Sequence, residues 1–209
     1  MSGVDASAVP AAVVFDVGMV LYRWDLRLLF GQLIEDESEL DWFCANVVTP
    51  EWHFQHDAGR PLDEMVPELQ ARHPDHAHVI EAYRTRFNET IPGPVEGTHA
   101  IVRRLTGAGV PVYGLTNFGA EFWDGFRPGQ DIFDGFRDIV VSGREKVAKP
   151  DPEIYAIAER RFGHPPGELF FIDDRADNIA AAKARGWHGH LFTDSRTLEV
   201  ALRNAGLLP

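Results

Sequence analysis

Asp173 and Asp174 stand side by side directly after the apolar run Leu169-Phe170-Phe171-Ile172. Adjacent acids in such a place repel each other unless a cation or hydrogen bonds compensate. Other apolar runs end on chemistry in the same way. The run 12–17 reaches Asp16, Val112–Thr116 ends at Thr116-Asn117, and Lys149 follows Asp138–Val141 within Lys149-Pro150-Asp151-Pro152. If the runs are parallel strands, their carboxyl ends form one pole, which is where open sheets of this kind bind ligands. That pole collects three carboxylates, a hydroxyl, an amide and an ammonium. Hard oxygen ligands suit Mg²⁺. The Lys, Thr and backbone N–H groups suit the oxygens of a phosphoryl group. An aspartate beside such a metal can attack phosphorus and carry it covalently. The chemistry implied is metal-assisted phosphoryl transfer.

The elements that must position these residues are legible as a pattern. Five short runs (12–17, Val112–Thr116, Asp138–Val141, Leu169–Asp173 and 188–192) are continuous rather than alternating, as expected of strands buried on both faces. Helical stretches separate them: 98–106, Pro152–Phe162 with Asp151 as N-cap and Pro152 at the first helical position, and 179–185 closed by Gly186. Strands alternating with helices predict an α/β, Rossmann-like doubly wound parallel sheet. The interval after the first strand breaks the rhythm. It reads as four helices (26–34, 39–47, Leu62–Arg72 and 78–87), the second opened by a capping box at Ser38 and Asp41. Pro92-Gly93-Pro94 marks the return. The expected division is a core of residues 1–22 and 92–209 with an inserted helical cap of residues 23–91.

Composition narrows the function classes. The chain has 209 residues, 44% hydrophobic and 25% charged, which excludes fibrous, disordered and disulfide-scaffold classes. A net charge of −12 opposes non-specific nucleic-acid binding and anionic membrane surfaces, leaving a small anionic substrate held by a local cation. Cys44 is the single cysteine and reads as a buried structural thiol in a reducing compartment. No segment approaches the ~18–20 apolar residues of a membrane span, and Met1 to Pro10 lacks the positive start of a signal peptide. A cytoplasmic enzyme, monomeric or homodimeric, is expected.

At this point the sequence resembles a known family. Phe15-Asp16-Val17-Gly18-Met19-Val20-Leu21 is similar to the first motif of the haloacid dehalogenase-like (HAD) hydrolases. Leu115-Thr116-Asn117 resembles their second motif, Lys149-Pro150-Asp151-Pro152-Glu153-Ile154-Tyr155 the third, and Ile172-Asp173-Asp174-Arg175-Ala176-Asp177-Asn178 the fourth. All four occur in the family's order, and the helical insertion falls where one branch carries its cap. The resemblance implies Asp16 as nucleophile and metal ligand, with the backbone carbonyl of Gly18 as another ligand. It implies Asp174 on Mg²⁺ directly, and Asp173 and Asn178 on it or through its waters. Thr116 and the N–H of Asn117 would hold phosphate oxygens, and Lys149 would neutralise Asp16 and the phosphoryl group.

One position departs from the family's phosphatases, which carry a second aspartate two residues after the nucleophile as acid and base. Here that residue is Gly18, with Val20 for the usual Thr. The form Asp-x-Gly-x-Val resembles the branch of bacterial α-glucose-1-phosphate phosphatases, as does the cap stretch Phe54-Gln55-His56-Asp57-Ala58-Gly59-Arg60. A sugar phosphate is thus one candidate substrate. Without the aspartate, either the leaving group is intrinsically good, as an anomeric or aryl oxygen is, or His56 or Asp57 supplies the proton.

Weaker signals stay open. His53, His56, Asp57 and Arg60 either roof the pocket, with Arg60 and His56 on the substrate, or form a polar loop between cap helices. His73, His76 and His78 read as a solvated turn around Pro74-Asp75. Phe118, Phe122, Trp123 and Phe126 read as a packing face, and Trp24 and Asp25 as either substrate-facing or hinge residues. The leading reading is a Mg²⁺-dependent phosphatase of a small phosphorylated metabolite, working through an aspartyl-phosphate. The alternatives are a 2-haloacid dehalogenase, in which Asp16 attacks carbon without a metal, and a non-catalytic phosphate-binding relative. A response-regulator receiver also combines paired acids, Thr and Lys, but in the reverse order along the chain.

Overall fold

The computed structural model describes residues 9–209; most of the N-terminal stretch read above for a signal peptide lies outside them. Strand β1 (Ala12–Phe15) is followed by the two-residue β2 (Tyr22–Arg23), and then by helices α1 (Arg27–Phe30), α2 (Glu37–Asn46), α3 (Pro50–Asp57), α4 (Leu62–Arg72) and α5 (Ala77–Arg86). The chain returns through β3 (Gly93–Pro94). It continues as α6 (Thr98–Gly107), β4 (Val112–Thr116), α7 (Ala120–Phe126), β5 (Asp138–Val141), α8 (Ser142–Glu145), α9 (Pro152–Phe162), β6 (Leu169–Asp173), α10 (Ala176–Ala184), β7 (His188–Leu191) and α11 (Ser195–Asn204).

The main sheet is parallel throughout, in the order β5-β4-β1-β6-β7. Both faces are covered, as the continuous apolar runs require. On β1, Val13 and Phe15 enter one core cluster while Ala12 and Val14 enter the other, and β6 divides Phe170 and Ile172 from Leu169 and Phe171 in the same way. The connection from β5 to β6 crosses to the far side of β1. The order therefore switches beside β1, opening a crevice at its carboxyl end. In β4, Gly114 is needed for packing, because a Cβ there would lie 2.9 Å from a methyl of Ile139.

The insertion differs from the sequence reading in its count. It holds five α-helices, not four, because residues 50–57 form α3 where a polar loop was one of two readings. Thr49 caps it by accepting from the Trp52 amide, and Pro50 occupies the first turn, where its missing N–H is harmless. Helix α2 is opened by Asp36, which accepts from the Glu39 amide, and not by Ser38; Asp36 lies ahead of the whole first turn, the position from which a side chain reaches its N–H groups. The expected helix 26–34 shrinks to the single turn α1. Pro92-Gly93-Pro94 is more than punctuation, since Tyr22 and Arg23 pair antiparallel with Pro94 and Gly93, so the two chain crossings run side by side. His76 is not free in solvent. It packs on Trp42 and Phe43 and lies 3.0 Å from the Glu39 carboxylate. Cys44 is half-buried rather than buried, against the core shared by sheet and insertion. Among the described residues, no helix is long and apolar enough to cross a membrane.

Buried Ser142, at the start of α8, ties the insertion to the sheet. Its hydroxyl donates to the carbonyl of Asp57 at the end of α3 and accepts from the Phe118 amide. Ser142→Ala leaves both backbone groups buried without that partner. Each unmet group costs about 1–3 kcal/mol, so urea denaturation should show a loss of roughly that size, well beyond a surface substitution.

Candidate active site

The register of the two central strands creates the site's electrostatic problem. Phe15 pairs with Ile172, so the next residues, Asp16 and Asp173, emerge side by side, and the Asp16 amide donates to the Ile172 carbonyl at 2.9 Å. Lys149 answers it. Its ammonium is 1% exposed and lies 2.9 Å from Asp16 Oδ1 and 2.7 Å from Asp173 Oδ2. Asn117, just beyond β4, fixes the backbone that delivers this lysine. The Lys149 amide donates to Asn117 Oδ1 at 2.8 Å, and Asn117 Nδ2 donates to the Lys149 carbonyl at 2.9 Å.

Asp173 is fully buried and already engaged: besides Lys149 it accepts from the Arg175 amide at 2.8 Å and from Asn178 Nδ2 at 3.0 Å. Asp174 is exposed and has room for a ligand. Oxygens of Asp16, Asp173 and Asp174 come within 4.8 Å of one another. Burial pushes the Asp16 carboxyl up to about 7, with Asp173 and Asp174 adding to the effect against the pull of Lys149. Burial, then Asp173, also raises Asp174. For Lys149 burial opposes the charge, but Asp16 and Asp173 more than offset it and hold the ammonium above the ordinary lysine value. Burial leads the Asp16 and Asp174 shifts, and the acids add to all three: with three carboxylates around one ammonium, the pole is short of positive charge.

That shortage is what a hard divalent cation relieves, and the donor set is all oxygen. Asp16 and Asp174 are the carboxylates best placed to hold one. The Gly18 carbonyl lies on the cavity-lining loop just after Asp16. Asp173 belongs to the same cluster, and its oxygens also accept from Lys149, Asn178 and the Arg175 amide, which orients those neighbours. Two further polar atoms near the pole, Thr116 Oγ1 and Asn178 Oδ1, are buried without a hydrogen-bond partner among the described residues. The threonine hydroxyl suits a phosphate oxygen.

A cavity of about 520 Å³ opens over this floor, a size typical of small-molecule sites. Asp16, Gly18, Asn117, Lys149 and Asp174 line its base, and Trp24, Phe54, Phe87, Ile91, Met19 and Phe118 its walls. Met19 has φ 56°, a left-handed conformation uncommon for a side chain of its size. It is held there by the tight loop in which its amide donates to the Tyr22 carbonyl and the Tyr22 amide to that of Val17.

Two residues expected on the substrate are not brought to the pole. His56 and Arg60 line a separate recess of about 260 Å³ at the seam with α7. His56 is 1% exposed, its Nδ1 lies 2.9 Å from the Arg60 carbonyl, and its ring packs on Phe122 and over Gly119. The Arg60 guanidinium is taken up by Gln55 at 2.8 Å and Glu68 at 2.6 Å. The same helix instead presents Pro50, His53, Phe54 and Asp57 to the main cavity. His53 and Asp57 thus take the roof position that was one of two readings for them, and the i, i+3, i+4, i+7 spacing is the signal that would have added Pro50 and Phe54 once the helix was recognised. Trp24, left open above, is a cavity wall, and its indole N–H is buried without a partner among the described residues.

With this geometry in hand, the comparisons agree. A family model described as a haloacid dehalogenase-like hydrolase matches residues 12–186, and the chain belongs to that family. It is similar to the sesquiterpene phosphatase astK of Aspergillus oryzae, with 28% identity over 195 residues covering 92% of this chain and 94% of that protein. Its fold is similar to the HAD family enzyme bt-2542 of Bacteroides thetaiotaomicron, solved with magnesium and inorganic phosphate, at a TM-score of 0.65 and 20% identity over 88% of this chain and 95% of that one. It is also similar to the L-2-haloacid dehalogenase of Xanthobacter autotrophicus, at a TM-score of 0.62 and 16% identity over 96% and 85% of the two chains.

The direction of the Asp16 shift sets a pH dependence. Near pH 5.5 its carboxyl keeps a proton and part of the repulsion is already relieved; near pH 8 it is ionised and the pole needs a cation. Added Mg²⁺ should therefore raise the melting temperature more at pH 8 than at pH 5.5, and Asp16→Asn should remove most of that difference. Differential scanning fluorimetry at both pH values checks this; an equal rise at both would contradict it.

Proposed function

We propose that the chain is a Mg²⁺-dependent phosphatase that hydrolyses a small phosphorylated metabolite through an aspartyl-phosphate, an acyl phosphate formed on Asp16. One observation carries this reading: the buried Lys149 ammonium bridges Asp16 and Asp173 at a pole that Asp174 extends toward the cavity. Three carboxylates gathered at one point have little use in an attack on carbon, which needs no metal. They suit a phosphoryl group whose own charge demands a cation. When bound at Asp16 and Asp174, Mg²⁺ would neutralise the phosphoryl oxygens and the acids together.

The chain's own residues do the rest. Asp16 is held fixed, its Oδ1 accepting from Lys149 at 2.9 Å and from the Val17 amide at 2.7 Å, so the carboxylate meets phosphorus without reorganising. Lys149 stays charged and faces the charge that builds in the transition state. Thr116 donates its free hydroxyl to a phosphoryl oxygen. The helical insertion roofs the cavity and limits water around the reacting group.

The walls refine the substrate. The aromatic and aliphatic side chains Met19, Trp24, Phe54, Phe87, Ile91 and Phe118 outnumber the polar Arg23, Glu51, His53 and Asp57 above the base, and an apolar organic group would lose water-exposed surface against them. The similarity to a protein named as a sesquiterpene phosphatase supports the same direction. The substrate is best read as a monophosphate of an apolar group, and a sugar phosphate as the poorer fit.

Three measurements test the reading. With Mg²⁺ present, kcat/KM for a prenyl monophosphate should exceed that for a hexose phosphate by at least ~10-fold, the equivalent of burying a few methylenes; equal values would remove the assignment of the walls. Lys149→Met keeps the stem without the charge and should lower kcat by about 10²–10³-fold, comparable with losing one preorganised electrostatic contact. Asp16→Asn should abolish release of phosphate.

A further inference from the structure

We infer that Asp57 of α3 is the proton donor and acceptor of the reaction, in place of the acid that the Val17-Gly18-Met19 loop lacks; this rests on the phosphatase reading. Asp57 lines the same cavity as Asp16 and Lys149. It is 6% exposed, and its Oδ1 is buried with no hydrogen-bond partner among the described residues. A buried carboxylate oxygen left unpaired is costly to the fold, so its retention beside a ligand cavity points to the ligand.

Its other oxygen is organised from behind. Asp57 Oδ2 lies 3.3 Å from His53 Nε2, and His53 Nδ1 lies 2.6 Å from the Tyr83 hydroxyl. The imidazole is stacked between Trp24, at 4.8 Å, and Phe87, at 5.7 Å, so it cannot swing away. Burial, then the charges of Asp57 and Glu121, hold the Tyr83 phenol well above its usual range. Tyr83 therefore keeps its proton and donates to Nδ1, which leaves the imidazole hydrogen on Nε2, facing Asp57. The charged and titratable groups around Asp57 are thus His53 on its own helix, Tyr83 on α5 and Glu121 on α7, with Asp16, Lys149 and Glu51 on the cavity lining. The Asp57 backbone is fixed as well, because its carbonyl accepts from Ser142. His53 and Tyr83 are positioning residues; Asp57 alone meets the substrate.

The proton balance closes over one turnover. An Asp16 oxygen forms a bond to phosphorus, the bond from phosphorus to the leaving oxygen breaks with its electron pair on oxygen, and the Asp57 proton goes to that oxygen. The alcohol departs and Asp57 is a carboxylate. Water then attacks phosphorus and gives a proton to Asp57, while the bond between phosphorus and the Asp16 oxygen breaks with its pair returning to Asp16. Phosphate leaves and Asp57 is again an acid.

The test compares kcat/KM for p-nitrophenyl phosphate, whose leaving group needs no proton, with that for a primary alkyl phosphate, whose leaving group does, both with Mg²⁺. Asp57→Asn should lower the alkyl value by about 10²–10³-fold and the aryl value by less than ~10-fold. A Cβ on Gly18 would meet nothing within 4 Å, so adding Gly18→Asp to Asp57→Asn should restore part of the alkyl activity. Tyr83→Phe removes one hydroxyl and should show a smaller loss with the same bias toward the alkyl ester; it carries the test if Asp57→Asn does not fold. Equal losses on the two esters, or none on either, would overturn the assignment. If the unaltered protein releases phosphate from neither ester, the phosphatase reading itself fails and takes this inference with it.

Discussion

Everything at the functional pole depends on one buried ammonium. Taking a lysine out of water costs several kcal/mol, recovered only when partners and geometry are good. Lys149 is 1% exposed and finds two carboxylates within 2.9 Å. Those carboxylates need it equally, because the parallel register of β1 and β6 forces Asp16 and Asp173 together at adjacent strand ends. Neither the lysine nor the acid pair is a stable arrangement alone. Even together they leave an excess of negative charge, three carboxylates gathered within 4.8 Å against one ammonium, and burial with that repulsion raises both Asp16 and Asp174. A site built in this way would be stabilised by a cation before any substrate arrives, and on the proposed reading metal binding and catalysis would share one electrostatic cause.

The parallel sheet explains why so much of this was legible in sequence. Strands buried on both faces must be apolar along their whole length, so the first polar residue after each run marks a carboxyl end. Asp16, Thr116 and Asp173 were found by that rule, and the sheet brings them together. What the rule cannot give is the division of labour among neighbours. Asp173 and Asp174 look equivalent as a pair of letters, yet one is fully buried and turned to Lys149 and Asn178 while the other is open. That difference arises where the strand ends: Asp173 is the last residue of β6, and Asp174 begins the bend that leads to α10.

Helix α3 was the least legible element, for a physical reason. Amphipathic patterning requires one face in water, and α3 has packed surfaces on two sides. Pro50, His53, Phe54 and Asp57 line the cavity, while Trp52 packs on Tyr83 and His56 on Phe122. Polar residues on both sides erase the period of 3.6, leaving only the Thr49-Pro50 start signal. The stretch 54–60 accordingly contributes to two different jobs. His56 packs into the seam, Arg60 pairs within the insertion with Gln55 and Glu68, and Asp57, one residue from His56, points chemistry the other way. Sequence resemblance could single out the stretch but could not separate these roles.

The seam also fixes where α3 sits over the nucleophile. A Cβ on Gly119 would fall 2.0 Å from the His56 ring, so the segment following β4 approaches α3 only as a glycine, and a Cβ on Gly143 would fall 2.5 Å from the Ala120 amide nitrogen, so the segments following β4 and β5 meet each other in the same way. These are the same strands whose ends deliver Thr116 and, further along, Lys149. The roof and the floor are therefore referenced to one sheet edge, and an acid on α3 keeps its register with Asp16 despite lying far from it in sequence. An acid two residues after the nucleophile would be present whatever the insertion did. Carried on α3, it faces the nucleophile's cavity only when the helix is seated against the sheet. Proton transfer then becomes available in the arrangement that also shelters the phosphoryl group, which couples the chemistry to the seating of the roof.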